Sequence, residues 1–410
     1  MNKIYKNIGL GLLFLSSINL VSCKKDFLDT APLTDISDAT AFQTPDRILN
    51  QVNGLYTTIK AGQFYGGRYL IYNDIRAEEF IVNRPNGVTG LDTWRHNLNS
   101  NTDEVRNLWA AGYAAINAVN VFLDGIDKNP GVVTATVAEQ YKGEAKYVRA
   151  LTYYALLQLY AKPYTLDAGA SPGLPLRLLA EKTTANNDLA RSTVAQVYTQ
   201  ILADLNAAEA TLPATYATAA LNTSRASKNT AIALKTRIYL AMSNLPKVVE
   251  EANKIVSAAA PYQAATGVNL KLEASIATVF GGSYTGSEAV LFLPVTDLNA
   301  PGTQNQLAYY YNIASGGGNE EYYLNPAGIL ANPALAAGSV DGRRGLIAIS
   351  GGKSFITKYK KPSPYSDYIP VMRYSEVLLN LAEATVVSDP ARSIALLTAV
   401  RQRSNPAAYT

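Results

Sequence analysis

The stretch EQYKGEAKYVRALTYYALLQLYA, residues 139–161, decides the fold. In its first half Glu139, Lys142, Lys146 and Arg149 recur every three or four residues, so a helix gathers them on one solvated face. From Ala150 onward that face turns apolar through Tyr153 and Leu157, while Leu151, Tyr154, Ala155, Leu156, Leu159 and Tyr160 fill the others. A helix polar on one side for three turns and apolar all round thereafter starts at a surface and ends inside a large core. Lys162-Pro163 stops it, because a residue before proline disfavours helical backbone. The stretch reads as a central packing helix whose tyrosines are scaffold.

Its neighbours have the same character. Asp103 to Asp127 repeats Val105, Leu108, Gly112, Ile116, Val119, Leu123 and Ile126 as one apolar stripe, with Trp109 inside it as a core residue. Ala111, Gly112, Ala114 and Ala115 leave room for close approach, so 103–127 and 139–161 should form an antiparallel helix hairpin. Further amphipathic segments follow at 193–212, 226–243, 246–260, 373–387 and 390–403, after a first one at 45–60. Returning helix pairs of this length predict a mainly all-α, tetratricopeptide-like scaffold of helix hairpins. Between them, 261–370 is rich in Gly, Asn, Tyr and Pro, with short strand-like runs such as 289–295: a long loop-rich insertion of the functional kind. An aromatic, glycine-rich loop is expected over 62–72.

Composition narrows the function. The chain has 410 residues, 48% hydrophobic and 17% charged, an ordinary globular balance. Residues 1–22 carry a basic start (Lys3, Lys6) and an apolar run (Ile8–Leu15), the pattern of a signal peptide. Leu20-Val21-Ser22-Cys23 then matches the bacterial lipobox, whose cysteine is acylated. Without Lys3 and Lys6 the balance is 34 basic against 32 acidic groups, which argues against nucleic acid as a partner. Cys23 is the only cysteine, so no disulfide forms within the chain and no thiolate metal cluster exists. His96 is the only histidine, which removes histidine-based triads and di-histidine metal sites. No cofactor is expected. The 27 tyrosines against 9 Phe and 2 Trp suit wet binding clefts.

Four features together resemble the SusD/RagB family of outer-membrane nutrient-uptake lipoproteins. They are the lipobox followed by KKDFLD, the helix GEAKYVRALTYYALLQLY (143–160), its tyrosine-rich surroundings, and RYSEVLLNLAEA (373–384) followed by ALLTAVRQRS (395–404). The family's GEARFLRALYYFDLVRLFG and RYAEVLLMYAEA…VRxRA stretches are matched almost position for position. The resemblance implies 1–22 as signal peptide, 23–260 as the helical region and 261–410 as the region with the ligand-binding insertion and final helix pair. It implies a lipid-anchored protein at the cell-surface side of the outer membrane, non-catalytic, with no metal. It also implies a SusC-like TonB-dependent transporter as partner. Family members usually continue past the VRxRA helix with a further helical segment, whereas this chain ends at 405–410. The sequence is either truncated or lacks a packing element, and in the second case Val377, Leu381 and Leu397 are expected to be partly exposed.

Family ligand recognition resembles stacking of sugar rings on exposed aromatics with polar groups at the edge. The candidates here are Trp94 with Arg95 and His96, then Tyr309, Tyr310 and Tyr311 with Asn312, then Tyr322 and Tyr323, and finally Tyr72 with Tyr65 and Tyr69. If 309–311 is a strand, at most two of its tyrosines face one site. The expected ligand is an oligosaccharide. A peptide- or protein-binding lipoprotein of the same architecture is the alternative. A glycoside hydrolase would require Asp74 and Glu78 or Glu79 to face one cleft.

Overall fold

A computed structural model describes residues 40–183, 187–281 and 284–408; the signal peptide and Cys23 lie outside the described residues. The described residues open with α1 (Pro45–Ile59), α2 (Arg68–Ile75), β1 (Phe80–Val82), the one-turn α3 (Leu91–Trp94), and two 26-residue helices, α4 (Asp103–Lys128) and α5 (Ala135–Tyr160). Then come α6 (Val194–Thr211), α7 (Ala219–Ser224), α8 (Lys228–Ala241), α9 (Leu245–Ala252), α10 (Ile276–Gly281) and β2 (Ala289–Leu293). The remainder is α11 (Leu307–Tyr311), β3 (Tyr322–Leu324), β4 (Ile347–Ser350), β5 (Lys353–Ile356), β6 (Ile369–Arg373), α12 (Tyr374–Thr385) and α13 (Pro390–Ser404).

Helix starts follow local chemistry. Thr134 accepts the Val137 N–H at the head of α5, Thr193 and Gln196 form a capping box on α6, and Asp389 caps α13 with Pro390 in its first turn. Helices then pack on their neighbours in sequence. α4 lies on α5, α5 on α6, α6 on α8, α8 on α9 and α12, and α12 on α13, with α1 against α4 and α5. This is the expected tetratricopeptide-like array. Gly112 lets α4 and α5 approach closely, since a Cβ there would fall 2.7 Å from the Leu156 side chain. Among the described residues strands occur as three antiparallel pairs, β1–β3, β2–β6 and β4–β5. The main core runs from Ala41 to Val371, on both sides of residue 260, and a second core lies among α8, α9, α12 and α13.

Four expectations need correction. Arg149 is not on a solvated face: it is buried, with Nε and Nη2 donating to Asp204 (2.8 and 2.7 Å) and Nη1 to Asn120 (2.8 Å). The carboxylate arriving from α6 turns this position inward. Glu144, one turn earlier, is also buried and receives Tyr56 and Arg225. The aromatic loop of 62–72 becomes helical at Arg68, where α2 begins, and α9 ends at Ala252 although Ile255 and Val256 stay buried beyond it. Val377 and Leu381 are buried, whereas Leu397 is 40% exposed beside Leu379 and Ile394.

Candidate functional site

The insertion and the 76–102 segment meet at the β1–β3 ladder, with Phe80 opposite Leu324, Ile81 opposite Tyr323 and Val82 opposite Tyr322. Alternation along β3 sends Tyr322 inward and leaves Tyr323 half-buried on the outer side. There Tyr323 stands 6.2 Å from the Phe355 ring of β5, and the Lys353 ammonium lies 5.0 Å over its face. Lys353 also donates to Asn83 Oδ1 at 2.6 Å.

Residues 309–311 form the short helix α11, not a strand, so its tyrosines fan out instead of alternating. Tyr310 and Tyr311 point inward and are buried, and Tyr309 is half-exposed. Its ring meets Tyr365 edge-on at 6.0 Å, and the Tyr365 hydroxyl donates to the Gly317 carbonyl. The Asn319 N–H donates to the Tyr309 carbonyl at 2.7 Å, and next to it Glu320 pairs with Arg84 at 3.4 Å while its carbonyl takes the Asn83 amide. Lys353, Tyr323, Asn83, Arg84, Asn319, Tyr309 and Tyr365 are therefore linked by successive contacts into one strip of aromatic and polar surface.

A buried network holds this strip. Glu321 is fully buried and accepts from Thr89 Oγ1 (2.6 Å), Asn86 (3.1 Å) and Asn319 (2.9 Å), tying the 84–90 loop to the insertion. Arg68 of α2 reaches Asn305 Oδ1 (2.8 Å), the Tyr72 hydroxyl (3.1 Å) and the Val88 carbonyl (2.6 Å), with its guanidinium 5.8 Å from the Tyr310 ring centre. The Tyr310 hydroxyl lies 3.0 Å from the Thr89 carbonyl and 2.9 Å from that of Gln304. Burial pushes the Tyr72 phenol up to about 12 and raises Tyr310 well above its ordinary value, so both stay protonated. Buried, fully partnered groups of this kind rigidify the backbone that carries a surface site.

The sequence candidates thus separate by environment. Tyr72, Tyr310 and Tyr322 form the packed base, Tyr311 donates to Asp74 beneath Phe80, and Asn312 closes its own turn on Gly316. Tyr65 is buried and half-buried Tyr69 packs against it at 4.6 Å. Tyr309 and Tyr323 reach solvent in part. Trp94 is half-buried at the end of α3, its Nε1 donating to the Phe80 carbonyl, while Arg95 and His96 are exposed. Glu104 fixes that short helix by accepting the Thr93 N–H at 2.8 Å. Trp94 therefore stands at the Phe80 end of the ladder, with Arg84 and Lys353 at the other.

Sequence reasoning missed Tyr365, Asn83, Arg84, Lys353 and Glu321. Only Tyr365, in the PYSDY run of the same insertion, carried a signal. The carboxylates are engaged separately: Asp74 by Tyr311, Glu79 by the Ile329 N–H, with Glu78 exposed. Among the described residues no three His, Cys, Asp or Glu side chains group to hold a metal ion, and no helix is long and apolar enough to cross a membrane.

Comparison with known proteins places this geometry. Residues 26–240 match the SusD-like family described as starch-binding and associating with the outer membrane, and residues 301–410 match the SusD family. The fold is similar to a SusD superfamily protein of Bacteroides fragilis, with 31% identity, a TM-score of 0.79 and coverage of 90% of this chain and 82% of that one. It is also similar to a laminarin-binding SusD-like protein (19% identity, TM-score 0.69, 88% and 85% covered), a likeness of fold. SusD-like protein P2 of Formosa agariphila is 25% identical over 318 residues, 76% of this chain and 55% of that protein. The chain spans about half the length of the curated relatives it matches. With the helical array, the two family matches and these relatives in agreement, the chain belongs to the SusD/RagB family.

Proposed function

We propose that this protein captures an oligosaccharide at the outer-membrane surface and passes it to a SusC-like, TonB-dependent transporter, breaking no bond in the process. One observation carries the reading: Tyr309, Tyr323 and Tyr365 are half-exposed on irregular backbone or a short strand, over a base of buried, mutually bonded polar groups. Apolar C–H faces of a sugar lie on such rings, and hydroxyls find Asn83, Asn319 and Lys353 at the edge. Trp94 and Arg95 form a second rim at the far end of the β1–β3 ladder. The family's association with the outer membrane and the laminarin-binding relative support a glycan ligand, and acylation of Cys23 supplies the tether.

The test is affinity electrophoresis and calorimetry of the full chain against polysaccharides and peptides. A glycan should bind, and Tyr323→Ala or Tyr309→Ala should weaken it about tenfold, or about 1.4 kcal/mol, with unchanged circular dichroism. Equal weakening by Trp94→Ala would extend the site along the ladder. Binding to peptides alone would replace the glycan reading with the peptide one. Co-purification with a TonB-dependent barrel tests the partner.

A further inference from the structure

The strip carries charge of one sign. Glu320, Glu321 and Asp367 are buried and turned to internal work: Glu320 accepts the Ala314 N–H, Glu321 holds Thr89, Asn86 and Asn319, and Asp367 takes the Tyr284 hydroxyl and the Lys361 N–H. Bonding from the Ala314 N–H holds the Glu320 carboxyl below its ordinary range, so it stays an acceptor committed to the loop. Exposed acids lie elsewhere. Asp297 sits in the Thr296–Asn299 turn, Asp74 is taken up by the Tyr311 hydroxyl, and Glu78 and Glu79 stand at the Phe80 end of the ladder.

The cations face out. The Arg84 side chain is 53% exposed and has one long contact, 3.4 Å, to Glu320. Lys353 is exposed, and its one hydrogen bond to Asn83 leaves two ammonium N–H groups beside the Tyr323 ring. Lys361 is exposed, its ammonium held by the Ser366 carbonyl at 3.1 Å and lying 5.6 and 6.0 Å from the Tyr284 and Tyr368 ring centres, and the carbonyl of its neighbour Pro362 accepts the Tyr365 N–H at 2.7 Å. Among the described residues neither Lys353 nor Lys361 makes an ion pair. A neutral sugar would leave these charges uncompensated, whereas a polymer with regularly spaced acid groups meets several at once. Exposed charges also raise the local concentration of such a ligand.

We propose that the captured ligand is an acidic polysaccharide, its sugar faces on Tyr323, Tyr309 and Tyr365 and its anionic groups on Arg84, Lys353 and Lys361; this rests on the capture reading above. Carboxylate and sulfate groups share the required chemistry, and two probes separate them. The full chain is titrated with polygalacturonate, with sulfated carrageenan and with neutral laminarin, at 50 and 300 mM NaCl. One or both anionic polymers should bind more tightly than laminarin, weaken several-fold at the higher salt, and lose about 2- to 5-fold affinity in Arg84→Gln or Lys353→Gln. The polymer that binds identifies the acid group. Laminarin binding as tightly and without salt dependence would overturn the charge inference and leave capture standing. Anionic binding unchanged in both variants would also overturn it, by placing the ligand off the strip. Failure of all three polymers to bind a chain with native circular dichroism would defeat the capture reading itself.

Discussion

Arg149 joins three helices through one guanidinium, and its bonds show what a single residue contributes to this scaffold. It is held by Asp204 from α6 and Asn120 from α4, all three buried. A bidentate pair of this kind matches the planar fork of arginine, which a lysine cannot reproduce. Arg149→Met keeps the apolar stem and strands a buried carboxylate, so unfolding free energy should fall by about 3–5 kcal/mol in urea titration. Asp341 makes a second residue-scale case. Burial alone would raise its carboxyl, yet hydrogen bonds from the Arg343 side chain and backbone and from Arg401 hold it at about 2, below its ordinary 3.8. A carboxyl depressed by folding stabilises fully above its unfolded value and loses that contribution as pH falls toward the folded one. Asp341→Asn should therefore lower stability by about 2 kcal/mol at pH 6, and the gap to the wild type should close as pH approaches 2. A gap independent of pH would mean that packing at this position matters more than charge.

Between elements, the contact of α2 with the insertion decides whether the strip keeps its shape. Gly67 precedes α2 and lies so close to the insertion that a Cβ would fall 1.5 Å from the Asn305 carbonyl oxygen. Gly67→Ala must push 301–306 away and break the Arg68–Asn305 bond. A loss of about 1–3 kcal/mol is expected from the forced overlap. Amide hydrogen exchange should rise over 84–90 and 301–306 while α4 and α5 remain protected, and glycan affinity should fall. Uniform exchange in both regions would refute the coupling. This level also shows what was legible in the sequence. The stripes of α4 and α6 were readable because one face of each is apolar at helical spacing. Position 149 misled because its periodicity is that of a solvated face, and only the arrival of Asp204 from 55 residues away turns it inward. Of the site, the tyrosine-rich insertion was legible from composition. Which tyrosines face out was not, because 309–311 form a turn of helix and the strand-based alternation does not apply. Arg84 and Lys353 look like any surface cation until β1, β3 and β5 bring them to one edge.

At the scale of the molecule, the strip is assembled from 83–84, 309–323 and 353–365, so a ligand lying across it bridges segments more than 200 residues apart in the chain. All of them rest on the main core, which runs from Ala41 to Val371. A ligand that binds only the assembled strip stabilises that core by mass action, by about 2.7 kcal/mol at a concentration one hundred times Kd. Calorimetry of the full chain should accordingly show a melting transition raised by a few degrees with the polysaccharide that binds and unmoved with one that does not. The Arg149 clamp shares no partner with the strip, and effects of independent sites add. Arg149→Met should thus melt lower without ligand yet gain the same increment with it, while Gly67→Ala, which disturbs the strip directly, should lose part of the increment. If Arg149→Met abolished the ligand shift, the helical array would be shaping the binding surface as well as supporting it, and capture would have to be treated as a property of the whole scaffold.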